Sequence, residues 1–454
     1  MSNDISIVNF FLHRPPDSQP FACIPMGTMY LCGSIEKAGY SLDFHDYQLY
    51  PTTNPYSPGE IARFLLKTES RLVGISIMSN MLPYLLLGLR IFKRERKDAF
   101  VVLGGAGVGG FSAESFAHFP EVDAILNGEG EQAVVEIIEA FKGKTKWESI
   151  RGLTYRKDGV RSNPGRTGMQ DLDLVPYPAY HRLDLASYRG FPVLTARGCP
   201  YKCTFCDISR RNGYAVGRRK IVNVIDEIEM LRRDFGAASI SILDDSFSLG
   251  KNRVKEFCFG VLARKMRFEW GCMCRVDHLS DELMDLMHEA GCRKMFLGIE
   301  SGSPKVRDTA GKGLGIKNVE DLISRAASRF QVTASFIMGF PFESLDDFRE
   351  TIFLMIYCKE KGAQPQICVL SPLPNAELTQ MPKYEKIFDP DTLSGMAYGE
   401  YTKKAGEVCS KALTGEVQGL IGSWPGLFSA FYHFKEGMVR EKIKIAATYG
   451  LIED

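Results

Sequence analysis

A chain of 454 residues, 45% hydrophobic and 24% charged, has the composition of an ordinary globular protein of two to four domains. Its 56 Lys and Arg against 55 Asp and Glu leave a net charge of +1, which removes any global electrostatic case for nucleic acid or an anionic membrane as partner. The start, Met1 to Val8, lacks a basic stretch followed by an apolar core, no apolar run approaches the roughly 18–20 residues that cross a bilayer, and 12 cysteines show no paired framework; the expectation is a cytoplasmic protein with free or metal-bound thiols.

Residues 1–145 alternate strand-like and helical runs. Ile5–Leu12 reads as a strand, 27–38 as a helix, 41–44 as a strand, 58–66 as a helix, 72–77 as a strand and 81–94 as a helix. A strand at 100–103, a helix at 113–119, a strand at 123–126 and a helix at 130–141 complete the series. Such alternation predicts an α/β, Rossmann-like domain with a parallel sheet, whose ligands lie beyond the carboxyl ends of the strands. Residues 146–190 hold a predicted hairpin (152–156 with 159–162), the turn Asn163-Pro164-Gly165 and an extended stretch with Pro176 and Pro178, and read as a linker.

From 191 to 375 the alternation resumes with six predicted strands, 192–196, 239–243, 268–272, 294–298, 332–338 and 366–370. Each is followed by a polar or glycine-rich cluster: the Cys199 loop, Asp244-Asp245, Arg275 with Asp277, Glu300-Ser301-Gly302, Gly339–Glu343 and Ser371–Pro374. Barrels of the β/α kind carry their chemistry at that end, so the six clusters predict one functional rim on a partial (β/α)6 barrel. Residues 376–454 form a small C-terminal helical region in which Trp424, Phe428, Phe431, Tyr432 and Phe434 have spacings that predict a helix packed on the barrel.

The chemistry concentrates in Cys199-Pro200-Tyr201-Lys202-Cys203-Thr204-Phe205-Cys206. A C-x3-C-x2-C loop aims three thiolates at one centre; an iron-sulfur cubane normally takes four cysteines, so three leave one iron open to a ligand. A structural zinc site wants four Cys or His ligands, and no His lies between Arg182 and Asp277; plain burial of the thiols is the remaining reading. Cys23, Cys32, Cys258, Cys292, Cys358, Cys368 and Cys409 read as core or neutral residues, and Cys272 and Cys274 as two thiols on one face of a strand.

With these residues in place, the chain resembles the radical S-adenosylmethionine enzymes over about residues 191–375. The resemblance implies that Cys199, Cys203 and Cys206 hold a 4Fe-4S cluster whose open iron chelates S-adenosylmethionine, and that an electron from an external donor such as flavodoxin or ferredoxin releases a 5′-deoxyadenosyl radical. Phe205 matches the family's aromatic residue beside the cluster, Gly298-Ile299-Glu300-Ser301-Gly302-Ser303 its fourth-strand stretch, and Gly339-Phe340-Pro341-Phe342-Glu343-Ser344 its adenine-supporting run, with Phe342 where glycine is common. By that resemblance Asp244, Arg275, Glu300, Ser301 and Gly339 are expected to contact S-adenosylmethionine; Asp244-Asp245 stands where many relatives have Gly-Gly-Glu.

Residues 1–145 resemble the cobalamin-binding domain that precedes many such barrels, through Pro25-Met26-Gly27, Gly39-Tyr40, Leu103-Gly104-Gly105 and Leu126-Asn127-Gly128-Glu129-Gly130-Glu131. Pro25, Gly27, Gly104, Gly105, Gly128 and Glu129 are the expected corrin-side positions, the glycines letting backbone approach the ring. Gly105–Gly110 also fits a dinucleotide-type G-x-G-x-x-G, although after about the fourth strand rather than the first. No D-x-H-x-x-G is present, so a His-ligated cobalt is not indicated, and His45 is the nearby histidine. The resemblance implies methylation of an unactivated carbon of a small-molecule substrate. Radical rearrangement, cyclisation or oxidation without methyl transfer is the alternative, and a non-catalytic iron-sulfur binding protein is the alternative of another class.

Overall fold

The computed structural model describes residues 3–12, 22–166, 171–211, 213–314, 318–389 and 412–452. Cys409, expected to be neutral or in the core, lies outside the described residues.

The apolar runs of the first half become a seven-stranded sheet in the order Leu42–Asp46, Ile5–Phe10, Leu72–Ile77, Phe100–Gly104, Ala124–Leu126, Leu153–Arg156, Val160–Ser162. The first five strands are parallel, and Ile5–Phe10 is buried at every position, as expected of a strand covered on both faces. Helices Met26–Lys37 and Glu131–Phe141 cover one face; Pro58–Leu65 and Leu82–Glu95 cover the other. The predicted hairpin forms around Asp158 and Gly159, both at positive φ. It does not hang in a linker: Leu153–Arg156 pairs antiparallel with Ala124–Leu126 and extends the sheet. That pairing is non-local and leaves no mark in the hairpin's own sequence.

The second sheet holds six parallel strands in sequential order: Phe191–Val193, Ser239–Ile242, Glu269–Arg275, Cys292–Glu300, Gln331–Met338 and Gln364–Val369. Alternate residues (Ile240, Ile242, Trp270, Cys272, Met295, Leu297) are buried against the helices. The opposite, concave face, with Ser239, Ser241, Glu269, Lys294 and Thr333, lines an open hollow of about 690 Å3. The first strand is shorter than predicted. It stops at Val193, and Ala196–Arg197 turns away to pair antiparallel with Gly217–Arg218.

Tyr180 joins the halves: its hydroxyl lies within hydrogen-bond distance of the Pro192 carbonyl (3.1 Å) and of Glu227 (3.0 Å) inside one continuous core. The C-terminal aromatics depart from expectation. Phe428, Phe431 and Tyr432 enter the core of the N-terminal half with Val417 and Ile421 of helix Gly415–Ser423, and Trp424 meets His118 at 4.7 Å. They form no single helix: Trp424 closes helix Gly415–Ser423, Phe431 ends the short 3-10 turn Ser429–Phe431, and Phe434, in strand His433–Phe434, packs with Val306, Phe340 and Leu370 of the barrel half as expected. The barrel is also met by helix Val439–Thr448, which packs on Leu345–Glu360. Among the described residues no helix is long and apolar enough to cross a membrane.

Candidate active site

The cysteine loop leaves the first barrel strand through Thr195–Gly198, and two carboxylates fix that exit. Asp244 is buried and accepts from the Thr195 N–H (2.7 Å), the Ala196 N–H (3.0 Å) and the Thr195 hydroxyl. Burial pushes its pKa up to about 6 in spite of those donors. Asp245 accepts from the Gly198 N–H at 2.8 Å, and burial raises its pKa too. Gly198 sits at φ +89°, which a glycine adopts without strain, and it delivers the chain into Cys199. All three cysteines are free and half-buried. Burial raises the Cys203 thiol, opposed by Lys312 and Arg275, and pushes Cys206 up to about 11.

A polar network that sequence reasoning did not anticipate braces the loop from the third strand. Arg275 is buried, forks onto Asp277 with two 3.0 Å bonds, donates to the Gly313 carbonyl (3.1 Å) and lies 3.9 Å from the Tyr201 ring centroid. The Tyr201 hydroxyl meets His278 Nε2, whose Nδ1 meets Ser248 Oγ (3.1 Å), and Ser248 accepts from the Arg275 N–H (3.0 Å). Ser248 and His278 carry no motif that would have marked them.

The fourth strand ends in Glu300, a buried residue at φ +71° that accepts from Lys312 at 3.0 Å. Gly298 leaves room for the pair as it stands, since a Cβ on it would lie 2.6 Å from Glu300 Oε1 and 3.0 Å from Lys312 Nζ. Lys312 reaches the site because Ala310 and Gly311 pack on the cysteine loop; the Thr204 N–H donates to the Ala310 carbonyl (2.9 Å). Ser301 faces the other way, its hydroxyl 3.1 Å from that of Thr351, so it clips the strand end to helix Leu345–Glu360. Gly339, at φ +94°, donates to Glu343 (3.2 Å), which pairs with Lys442 of the C-terminal helix. Phe205 meets Phe340 edge-on at 5.6 Å, and Phe342, the departure from glycine, stacks on Phe340 at 5.4 Å.

Opposite the loop lies the carboxyl edge of the N-terminal sheet. Gly27, Gly104, Gly105, Gly128 and Glu129 line a hollow of about 260 Å3 that Leu194 and Arg197 of the barrel half complete. Pro25 stands just outside as the residue preceding helix Met26–Lys37, its carbonyl accepting from Thr28 and Met29. A larger cavity of about 1010 Å3 is continuous in its lining with the first, and it carries Gly105, Asn127, Gly128 and Glu129 on one wall and Ala196, Arg197, Gly198, Leu243 and Asp245 on the other. Gly107 lies against the Met78 and Ile77 backbone, and the Gly105–Gly110 run forms a 3-10 turn instead of opening a helix as a dinucleotide fingerprint would. His45 is held by Asp43 at 2.7 Å on the outer strand and lines neither cavity. Cys272 and Cys274 share a buried face, sulfurs 3.5 Å apart.

The residues present fit the groups that the motifs imply. Among the described residues no three His, Cys, Asp or Glu side chains converge on one point as a single ion requires. A cubane asks for something else, one thiolate at each of several iron corners, which three thiols spread along one loop can supply. On the facing edge, a Cβ placed on Gly27 would meet nothing within 4 Å, and on Gly104 or Gly128 nothing nearer than 3.9 Å. These positions leave bare backbone toward the hollow, as a flat macrocycle needs.

Comparison with known proteins agrees with this geometry. The family model described as the radical SAM superfamily matches residues 193–355, and that of the B12 binding domain matches residues 18–138. An uncharacterized methyltransferase of Pyrococcus horikoshii is 30% identical over 337 residues, 72% of each chain. Cytidylyl-2-hydroxyethylphosphonate methyltransferase of Streptomyces wedmorensis is 25% identical over 444 residues, 84% of this chain and 82% of its own. Among solved structures, the radical S-adenosylmethionine methyltransferase TsrM from Kitasatospora setae, with tryptophan substrate and aza-SAM bound, shares the fold over 99% of this chain and 89% of its own, with a TM-score of 0.72 and 18% identity. The cobalamin-dependent S-adenosylmethionine radical enzyme OxsB, with aqua-cobalamin and S-adenosylmethionine bound, aligns over 78% of this chain and 52% of its own, with a TM-score of 0.63 and 21% identity. The chain belongs to the cobalamin-binding radical S-adenosylmethionine enzymes. Its cofactors are therefore a 4Fe-4S cluster, S-adenosylmethionine and cobalamin.

Proposed function

We propose that this enzyme methylates an unactivated carbon of a small-molecule substrate held between the two sheets. The observation that carries the reading is the shared cavity of about 1010 Å3, whose walls are the carboxyl edge of the cobalamin-binding sheet and the rim of the barrel. Reactions at the two centres can then meet on one substrate without release of an intermediate. When bound, the cofactors supply a methyl group and a hydrogen-abstracting radical. Over one turnover two S-adenosylmethionines, one substrate C–H and two electrons give a C–CH3 product, S-adenosylhomocysteine, methionine and 5′-deoxyadenosine. The electrons come from an external donor of the flavodoxin or ferredoxin type.

In this reading Cys199, Cys203 and Cys206 hold the cluster, and Asp244 with Asp245 fixes the loop that bears them. The Glu300–Lys312 pair offers an acceptor and a donor to the ammonium and carboxylate of S-adenosylmethionine. Arg275 adds positive potential beside Cys203, and Gly339 with Phe205 borders the adenine. Gly27, Gly104, Gly105 and Gly128 face the corrin. The names of the relatives, a phosphonate methyltransferase and TsrM among them, support methyl transfer.

A second reading, radical chemistry without methyl transfer, is favoured by the 26% identity to the anaerobic magnesium-protoporphyrin IX monomethyl ester cyclase of Cereibacter sphaeroides. Product analysis separates them. Reduced holoenzyme and substrate should form S-adenosylhomocysteine and 5′-deoxyadenosine in equal amounts, with a labelled methyl group in the product. Formation of 5′-deoxyadenosine alone would refute methylation.

A further inference from the structure

Arg197 lies two residues before Cys199, in the short ribbon that carries the chain out of the barrel. Its guanidinium crosses to the N-terminal half, donates to Glu131 (2.6 Å) and Glu129 (3.4 Å), and lies 4.9 Å from the ring centroid of buried Tyr30. The residue is largely buried and lines both interdomain cavities. Each end of this bridge is tied into its own half by backbone hydrogen bonds. On the barrel side, Asp244 and Asp245 hold the backbone of Thr195, Ala196 and Gly198, the residues on either side of Arg197 and just before Cys199. On the other side, Gly128 is at φ +102°, the Asn127 N–H donates to the Gly152 carbonyl at 2.9 Å, and Glu131 opens helix Glu131–Phe141.

A salt bridge that merely glued two domains could stand anywhere on their shared surface. This one joins the loop bearing a cluster ligand to the loop bordering the corrin hollow, and its carboxylates come from the Gly-Glu-Gly-Glu run expected to face the corrin. A planar guanidinium that sends one nitrogen to each of two carboxylates constrains direction as well as distance. We propose that Arg197 is a positioning residue: its clamp on Glu129 and Glu131 sets the separation between the iron-sulfur cluster and the cobalt. The inference rests on the two cofactors, not on methyl transfer, and it stands whichever reaction the enzyme performs.

The test reads distance rather than turnover. Holoenzyme carrying the reduced cluster and cob(II)alamin has two unpaired spins, and their dipolar interaction in electron paramagnetic resonance falls steeply with separation. In Arg197→Gln and the milder Glu131→Gln, compared with the parent in the fraction that carries both cofactors, the dipolar splitting should shift and broaden into a spread of distances. Arg197→Lys, which restores the charge without the fork, should fall between. The proposal is overturned if the splitting in both Gln variants matches that of the parent. It is equally overturned if Glu131→Gln loses corrinoid while the remaining holoenzyme keeps the parental splitting, because the carboxylates would then be binding the corrin and not spacing it. Failure of product analysis to show methyl transfer would leave this measurement untouched.

Discussion

Replacing Lys442 with methionine removes the positive half of an ion pair whose two side chains are both fully buried. Lys442 Nζ donates to Glu343 Oε2 at 2.6 Å and to the Glu343 carbonyl at 3.2 Å, and the Gly339 N–H reaches the same Oε2. Glu343 Oε1 has no partner among the described residues. Burial raises the pKa of Glu343 and lowers that of Lys442, and each charge pulls the other part of the way back. In the variant the carboxylate keeps one backbone donor in an apolar setting, and breaking a buried pair in this way costs about 3–5 kcal/mol. At about 2–4 °C per kcal/mol for a unit of 150–250 residues, the melting temperature should fall by roughly 6–20 °C. Scanning calorimetry on anaerobic protein reads this directly. A second arm sharpens it: Glu343→Gln combined with Lys442→Met removes both charges, and neutral replacement of a buried pair is often tolerated, so most of the loss should return. A single variant within about 1 kcal/mol of the parent would place the pair among exposed bridges and refute the argument, as would a double variant no more stable than the single.

Three further outcomes follow from the site. Asp244 has a folded pKa of about 6 against an ordinary 3.8, so the folded chain holds that proton more tightly and stability should drop by about 3 kcal/mol as pH rises from 4 through 6, then level off. Melting curves of cluster-free protein across that window should show the slope, Asp244→Asn should flatten it, and an unchanged slope in the variant would rule Asp244 out as its source. Gly298→Ala would force a methyl group to within 2.6 Å of Glu300 Oε1 and so split the Glu300–Lys312 pair. The cluster should remain, but the spectral shift of the reduced cluster on titration with S-adenosylmethionine should need roughly tenfold more ligand, the worth of one charge-assisted hydrogen bond; parental affinity would remove the pair from that site. Gly104→Leu adds bulk in the corrin hollow where the nearest protein atom to a Cβ is 3.9 Å away. Corrinoid content after reconstitution should collapse with little change in melting temperature, and full occupancy would displace the corrin from this edge.

The strand positions and both domain types were legible because the signals that fix them are local. Ile5–Phe10, Leu72–Ile77 and Phe100–Gly104 are short apolar runs bounded by polar turns, and each barrel strand is followed by its functional cluster. The thiol loop was legible because three ligands lie within eight residues. What escaped depends on pairing across the fold. Lys312 stands in an ordinary Gly-Lys-Gly turn, and only the seating of Ala310 on Thr204 carries it to Glu300. Tyr201, Ser248 and His278 come from three separate segments, and their chain of hydrogen bonds exists only once the strands are in register. The C-terminal aromatics misled because spacings of three and four over a handful of residues do not require one helix: the segment breaks into a helix end, a 3-10 turn and a strand, which send Phe428, Phe431 and Tyr432 to the N-terminal core and Phe434 to the barrel.

The second-strand acids show how a residue type can be read correctly and its task still be set by the fold. An aspartate pair at a catalytic rim resembles a binding site for a ligand's ammonium group. Asp244, however, is buried and already accepts two backbone N–H groups and a hydroxyl, so it has little left to offer a ligand. Asp245 accepts the N–H of the glycine that begins the cluster loop. Glycine at that strand end in relatives would leave these donors without a carboxylate; here two carboxylates supply the stiffness of the Thr195–Gly198 exit. That stiffness gives the Arg197 bridge its leverage, because a clamp transmits position only between parts that do not yield. The same acids thus explain why an acceptor for S-adenosylmethionine is best sought one strand pair away, at Glu300, where a buried carboxylate faces a lysine amine beside Cys203.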